Sequence, residues 1–424
     1  MKVLHITTNV FKQSACYRLH KALLKNEVDS KILVVEKFHD LKQVIPYVDS
    51  FSNKVKWKIR KKLDDREKSK FDIQTVFSLG HRGVNIENNP LVKEADVIHL
   101  HWINDSFVSI QSIKNISQMG KPIVWTCHDS WPFTGGCHVR YGCDKFTNSC
   151  EDCPLVNHKG KVYAKELLKD KYKLFKDIPM KLIGPGQWTV DCIKESRVFK
   201  GKEAFKISNT LDLNTFTPMD KGIAKEKLNL PEGKIILTFG AVNGTKVKYK
   251  GYEYLLEALK SLLKENPSLK DKIHCVVFGS DYDENIDKLN ITSTFTGYIS
   301  EEEELALIYN GTDLFLVPSI EDSLNSTVME SLSSETPVVA FRTGGIPELI
   351  RHKENGYLAE FKNSEDFKNG IKYCLTNNRD NILGKQGRKH VEENFNMDLI
   401  AKKHIQIYKN EVFSDKLQVR SDKL

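Results

Sequence analysis

Residues 313–349, DLFLVPSIEDSLNSTVMESLSSETPVVAFRTGGIPEL, constrain this chain more than any other stretch. An apolar strand runs into a polar turn, a helical segment follows, and a second apolar strand, PVVAF, ends in Gly344 and Gly345. Strand, helix and strand in that order build a parallel sheet, whose ligands sit beyond the carboxyl ends of its strands. Asp322 and Glu330 bracket the first strand-to-helix junction, eight positions apart. Carboxylates there suit hydroxyls, and amides at a helix start suit phosphate. The ligand expected is therefore both phosphorylated and rich in hydroxyls.

The same alternation continues elsewhere. KVLHIT (2–7), a helical segment at 14–25 and SKILVV (30–35) open the chain, and ADVIHLHW (95–102), KPIVWTCHD (121–129), MKLIGPG (180–186) and AFKISN (204–209) follow, with helices expected near 106–118 and 188–196. A second unit starts at KIILTFGAV (234–242), with a helix at 251–264, strands at 272–279 and near 293–297, and a helix over 301–310 whose first turn is rich in glutamate, favourable at the positive end of a helix. Helical patterns follow near 364–374, 381–391 and 397–412. A chain of 424 residues exceeds the usual single domain. The expectation is an α/β protein of two Rossmann-like domains facing across a cleft: 1–205, with a C-terminal helix at about 395–415 returning to it, and 206–394. Residues 40–80 are weakly periodic and read as an insertion.

No run of eighteen apolar residues is present, and the N-terminus lacks the long apolar core of a secretory signal, so a cytoplasmic protein is expected. The formal charge of +8 is uneven: residues 54–70 hold nine Lys/Arg against three Asp/Glu, with Val55, Trp57 and Ile59 among them. A solvated helix, a mobile arm and a patch for anionic lipid or an anionic acceptor are all open readings, the last placing the protein at the inner face of the membrane. No zinc-finger or aromatic RNA-binding pattern supports a nucleic-acid partner.

Within the second unit, Lys246, Lys248 and Lys250, the last followed by Gly251, lie between a strand and a helix and can reach an anion bound near Asp322. Leu324, Asn325, Ser326 and Thr327 offer amides to phosphate, and Ser326 or Thr327 is the expected helix cap. Spacing alone leaves nucleotide binding and an ordinary surface equally open.

The order of these motifs resembles the retaining family-four glycosyltransferases of the GT-B fold, in particular the capsule and exopolysaccharide type. GYISEEEELALIYNGTDLFLVPS, the acidic pair with seven residues between, ETPVVAFRTGGIPELI and NTLDLNTFTP (209–218) match in order and spacing. The resemblance implies a transferase that moves a sugar, with retention, from a nucleotide-diphosphate sugar to a hydroxyl of a saccharide or lipid-linked saccharide during capsule, lipopolysaccharide or related cell-surface polysaccharide synthesis. It makes the N-terminal domain the acceptor side and the C-terminal domain the donor side. Glu330 would hold the ribose, and Asp322, a glutamate in most of the family, would contact the transferred sugar. Lys250 fits the phosphate-binding lysine, while Thr245 stands where the family has an arginine, which leaves Lys246 or Lys248 to serve. His128, in a strand-end His-Asp dipeptide, would face the transferred sugar. His101, Trp102 and Asn104 would line the acceptor side. The N-terminal turn, glycine-rich in the family, runs from Asn9 to Ser14 here, and both of these are acceptor-side candidates. His128, Asp322 and Lys250 are the catalytic candidates. No Asp-x-Asp motif stands in a plausible place to argue for a catalytic metal. The rival readings are a non-catalytic partner in glycan synthesis and a nucleotide-sugar epimerase or hydrolase.

Cys137, Cys143, Cys150 and Cys153 form C-x5-C-x6-C-x2-C just after the His128 segment. A structural zinc and free thiols both fit that spacing, with His138 as a substitute ligand.

Overall fold

In the computed structural model, residues 1–37 and 40–421 are described, the side chains of 413–421 excepted. The chain divides into two units, Met1–Ser208 with Asp398–Leu424, and Asn209–Met397. Each is a fully parallel sheet covered by helices.

The first sheet contains β1 (Lys2–Ile6), β2 (Asp29–Val34), β3 (Val44–Pro46), β4 (Val97–Leu100), β5 (Ile123–Thr126), β6 (Met180–Gly184) and β7 (Ala204–Lys206), in the order β3-β2-β1-β4-β5-β6-β7. Ile6 registers with Leu33 on one side and Leu100 on the other. β4 and β5 are buried along their whole length, which suits their mostly apolar sequences, VIHL and IVWT. The order reverses between β1 and β4, so a crevice is expected at their carboxyl ends.

The second sheet contains β8 (Ile235–Gly240), β9 (Ile273–Phe278), β10 (Thr292–Gly297), β11 (Leu314–Val317), β12 (Val338–Phe341) and β13 (Gly356–Ala359), in the order β10-β9-β8-β11-β12-β13. Its reversal lies between β8 and β11. The Lys250 loop leaves β8 and the Asp322 loop leaves β11, so topology alone brings the two together.

Several local readings change. The weakly periodic span 40–80 holds β3 and an eighteen-residue helix, Phe51–Lys68, capped by Ser50, whose hydroxyl accepts from Asn53 N at 3.3 Å. Its apolar residues Val55 and Ile59 are 37% and 55% exposed, so of the open readings of 54–70 the solvated helix is the one found. The helix His158–Phe175, capped by Asn157, escaped notice because lysines interrupt its apolar face, and one of them, Lys171, is itself buried. The helix after β10 is Glu302–Gly311, with Glu301 in the cap position.

The last helix, Met397–Ser421, packs in the first unit from Asp398 onward: Lys25 bonds Asp398 at 3.1 Å, and the Tyr408 hydroxyl lies 2.6 Å from His99 Nδ1. No described helix is long and apolar enough to cross a membrane.

Candidate functional site

In the second unit, Lys250 and Asp322 meet at the β8/β11 reversal. Lys250 Nζ donates to Asp322 Oδ2 at 3.1 Å, and Asn325 Nδ2 donates to the same oxygen at 2.9 Å. Burial by itself would pull the ammonium of Lys250 down. The Asp322 charge, the Tyr249 ring and the hydrogen bond to Asp322 outweigh it and hold the group above its ordinary value. Both side chains are partly covered, at 19% and 15% exposure, so the pair is sheltered yet reachable.

Two glycines allow these loops to close on each other. Gly251 has φ +69°, and a Cβ there would stand 1.9 Å from the Pro318 carbonyl oxygen. Gly344 has φ +53°, and its Cβ would stand 1.9 Å from the Asp322 carbonyl oxygen. Any larger residue would push the β8 or β12 loop off the β11 loop. Gly345 N then donates to Asp322 O at 3.0 Å.

The helix Ser326–Ser333 is capped by Asn325, not by Ser326 or Thr327. Asn325 has extended backbone and its Oδ1 accepts from Val328 N at 3.2 Å, while Ser326 and Thr327 are already helical. Thr327 Oγ1 donates to that Oδ1 at 2.6 Å. Asn325 therefore does two things: it starts the helix and steadies Asp322. Glu330, one turn on, is only 2% exposed and accepts from Tyr309 Oη at 2.9 Å. Tyr309 was not legible as a site residue, because it lies in the preceding helix and is spaced as a core residue. Leu324 is buried. Lys246 is exposed and 3.4 Å from Asp281, and Lys248 is exposed, so neither joins the Lys250–Asp322 group.

In the first unit the carboxyl ends of β1, β4 and β5 carry histidines. His101 Nδ1 is 2.9 Å from His128 Nε2, and His101 Nε2 is 2.9 Å from His5 Nδ1. His99 lies beside them, with its nitrogens against Tyr408 Oη and Thr126 Oγ1. Burial pushes His128 down to about 4 and His5, His99 and His101 well below their ordinary range, helped for the last three by the neighbouring imidazoles. The group is thus neutral.

Asp129 pairs with His138, at 2.7 Å, rather than with His128. Burial would raise the Asp129 carboxyl, but His138 and the Trp131 amide hold it below the usual range. The Trp102 ring packs against His138, with centroids 5.6 Å apart. Asn104 is buried, and its carbonyl accepts from Thr8 Oγ1 at 2.7 Å. Asn9 is half-buried after β1, and Ser14 is the cap of the helix Ala15–Lys25. Lys171 was missed from sequence: fully buried, it donates to the carbonyls of Trp131 and Thr134 and lies over the Trp131 ring, with burial drawing its pKa to about 7. It braces the loop that follows His128.

The four clustered cysteines are all free thiols; Cys137, Cys150 and Cys153 are buried and Cys143 is half-buried. Cys137 bonds the Thr134 side chain, and Cys150 and Cys153 bond the backbone at Gly135 and Leu155. Among the described residues these four do not bring three sulfurs within 4.8 Å of one another; the set of metal-capable atoms that does so is His5, Cys16 and His101. His138, the substitute ligand considered from sequence, is occupied by Asp129 and Ser78.

The family model of the group 1 glycosyl transferases matches residues 220–390. An uncharacterized glycosyltransferase of Haemophilus influenzae is 30% identical over 184 residues, 42% of this chain and 48% of that protein. WcaC of Escherichia coli K12, assigned by its name to colanic acid biosynthesis as a glycosyl transferase, is 25% identical over 296 residues, 66% of this chain and 67% of that protein. The first of these matches spans about half the relative's length. Among solved structures, Anabaena Alr3699/HepE in complex with UDP and glucose superposes with a TM-score of 0.63 at 15% identity, over 97% of this chain and 100% of that one. The chain thus has the two-domain GT-B fold, and its second unit carries the match to the group 1 glycosyl transferases.

Proposed function

We propose that this protein is a retaining glycosyltransferase that moves a sugar from a nucleotide-diphosphate sugar to a hydroxyl of a saccharide or lipid-linked saccharide in cell-surface polysaccharide synthesis. The observation that carries the reading is the Lys250–Asp322 pair, 3.1 Å apart at the β8/β11 reversal, beside the Asn325-capped helix that holds Glu330. It lies inside the span matched to the group 1 glycosyl transferases. Lys250 would take the diphosphate, together with the first amides of the helix Ser326–Ser333. As the glycosidic bond breaks, charge gathers on the leaving phosphate, and a cation already fixed there lowers the barrier. Glu330 would accept from ribose hydroxyls. Asp322, released by Lys250 when the diphosphate arrives, would accept from the transferred sugar. HepE, whose structure contains UDP and glucose, supports a nucleotide sugar as donor.

His128 would donate a hydrogen bond to the transferred sugar, and the acceptor hydroxyl would attack on the face from which the phosphate leaves. The departing phosphate takes its proton, which preserves the anomeric configuration and needs no protein nucleophile. Isothermal titration with UDP-, GDP- and ADP-sugars tests donor binding. One should bind in the micromolar range, and Glu330→Ala should weaken it at least tenfold. Binding by none of them would sink the reading, and free sugar released without an acceptor would make the protein a hydrolase.

The helix Phe51–Lys68 supports work at an anionic membrane surface. Phe51, Val55, Ile59 and Leu63 recur every four residues and are 85%, 37%, 55% and 46% exposed. Lys54, Lys58, Lys62 and Arg66 recur at the same interval beside them. On its other side, Trp57 Nε1 donates to Asp105 O at 3.0 Å and Asp64 accepts from Arg82 at 2.8 Å, so the helix is fastened to the first unit. An exposed apolar stripe flanked by cations suits lipid headgroups, at about 1 kcal/mol per cation. Co-sedimentation with phosphatidylglycerol vesicles, absent with phosphatidylcholine alone and lost in Phe51→Ser/Ile59→Ser, is the expected result.

A further inference from the structure

His128 ends a line of three imidazoles whose protons are not independent. Its Nε2 lies 2.9 Å from Nδ1 of His101, and Nε2 of His101 lies 2.9 Å from Nδ1 of His5. The far nitrogen, His5 Nε2, is buried and has no hydrogen-bond partner among the described residues. We infer that His101 and His5 are positioning residues that hold the proton of His128 on Nδ1.

Each ring is neutral, because burial and neighbouring His20, His99 and His404 disfavour the charged forms. A neutral imidazole carries one N–H, so both links can be made in only two ways. In one, His5 Nδ1–H donates to His101, His101 Nδ1–H donates to His128 Nε2, and His128 carries its own proton on Nδ1. In the other, every proton sits on Nε2, and the line ends in a buried His5 N–H with no acceptor among the described residues. Orphaned buried N–H groups are rarer than orphaned acceptors. The Cys16 sulfur, within 4.8 Å of a ring nitrogen of His5 and of one of His101, is kept as a thiol by burial, so it is a weak donor and not an anion that would hold an N–H. Both considerations select the first arrangement.

Both nitrogens of His101 are engaged within the line, which leaves none for a cation shared with His5 and Cys16. His5 is fixed in β1, and His101 directly follows β4. These adjacent strands therefore orient a side chain at the end of β5. The benefit to catalysis rests on the proposed role of His128 at the sugar: a fixed Nδ1–H donor needs no tautomer change when substrate arrives.

The test is two-dimensional NMR of protein labelled with 15N-histidine at pH 7.5, tuned to the two-bond ring couplings, with His128 assigned by its disappearance in His128→Gln. The expected pattern for His128 is the Nδ1–H tautomer; an Nε2–H pattern or a mixture overturns the inference. His101→Phe should release the tautomer and lower kcat roughly 10-fold or more, with the KM for the donor little changed. His101→Asn, whose amide can donate from nearly the same place as Nδ1, should restore the tautomer and most of kcat. Equal losses in both variants with the His128 tautomer unchanged would reduce His101 to packing and sink the idea. The spectrum needs no substrate, so failure of the proposed donor to bind leaves this result readable on its own.

Discussion

The carboxyl ends of the two sheets use opposite electrostatics. In the first unit, His5, His99, His101 and His128 crowd together as neutral rings, and their hydrogen bonds run from ring to ring or to hydroxyls. In the second unit, Lys250 forms an ion pair with Asp322 at 3.1 Å, and Glu330 is held by Tyr309. Both are parallel sheets with a strand-order reversal at that point, so the fold does not dictate the difference. On the proposed function the ligand does: a diphosphate needs a cation, whereas a neutral polyhydroxyl needs donors and acceptors without net charge. Burying neutral imidazoles avoids the desolvation that buried charges would incur.

The largest expected effect breaks this comparison with acid. His20, His128 and His404 titrate near 4 in the native protein, and His5, His99 and His101 lie well below 6.5. The native values are depressed below the unfolded value, so the unfolded chain takes up protons that the native one refuses. Stability is full above 6.5 and falls, by about 1.4 kcal/mol per histidine per pH unit, as pH drops towards 4. Denaturant melts followed by Trp125 and Trp131 fluorescence should show the first unit losing most of its stability between pH 6.5 and 4.5. The three histidines with lowered values in the second unit have smaller shifts, so that unit should lose less.

Next in size, Lys250→Ala should reduce turnover by about 10²–10³, or roughly 3–4 kcal/mol of barrier, because one fixed cation at the developing charge is gone. Steady-state kinetics with the donor identified by titration is the measurement; a loss under fivefold would detach Lys250 from the chemistry. Lys171→Ala should destabilise the first unit by about 2–4 kcal/mol, leaving the carbonyls of Trp131 and Thr134 unsatisfied, with little effect on donor affinity. Tyr309→Phe removes a single hydrogen bond to Glu330 and should cost about 1 kcal/mol of donor affinity. The smallest change is Asn325→Ala, about 1 kcal/mol of stability from the lost cap, measured by thermal melting.

Much of the second unit was legible because its signals are local. The strand ending at Val317, the acidic pair eight residues apart and the glycines after PVVAF lie on a short stretch of chain, and the reversal places the Lys250 loop beside them. Asn325 was misread in part because Asn, Ser and Thr in sequence can each cap a helix, and only backbone geometry selects one. The first unit resisted more. His5 and His101 stand 96 positions apart and His101 and His128 stand 27 apart, so no spacing rule links them. Residues 51–68 left a solvated helix as one of several open readings, because its apolar side faces outward.

By itself, then, the sequence determined the alternation of strands and helices and the strand-to-helix turn that carries Asp322, since apolar periodicity and turn chemistry act over a few neighbours. Only the tertiary structure decided which histidines touch, which lysine meets Asp322 and which lysine is buried under Trp131. Those outcomes depend on strand order and on close approaches such as Gly251 to Pro318, and packing distances between remote segments are not written in any short stretch of chain.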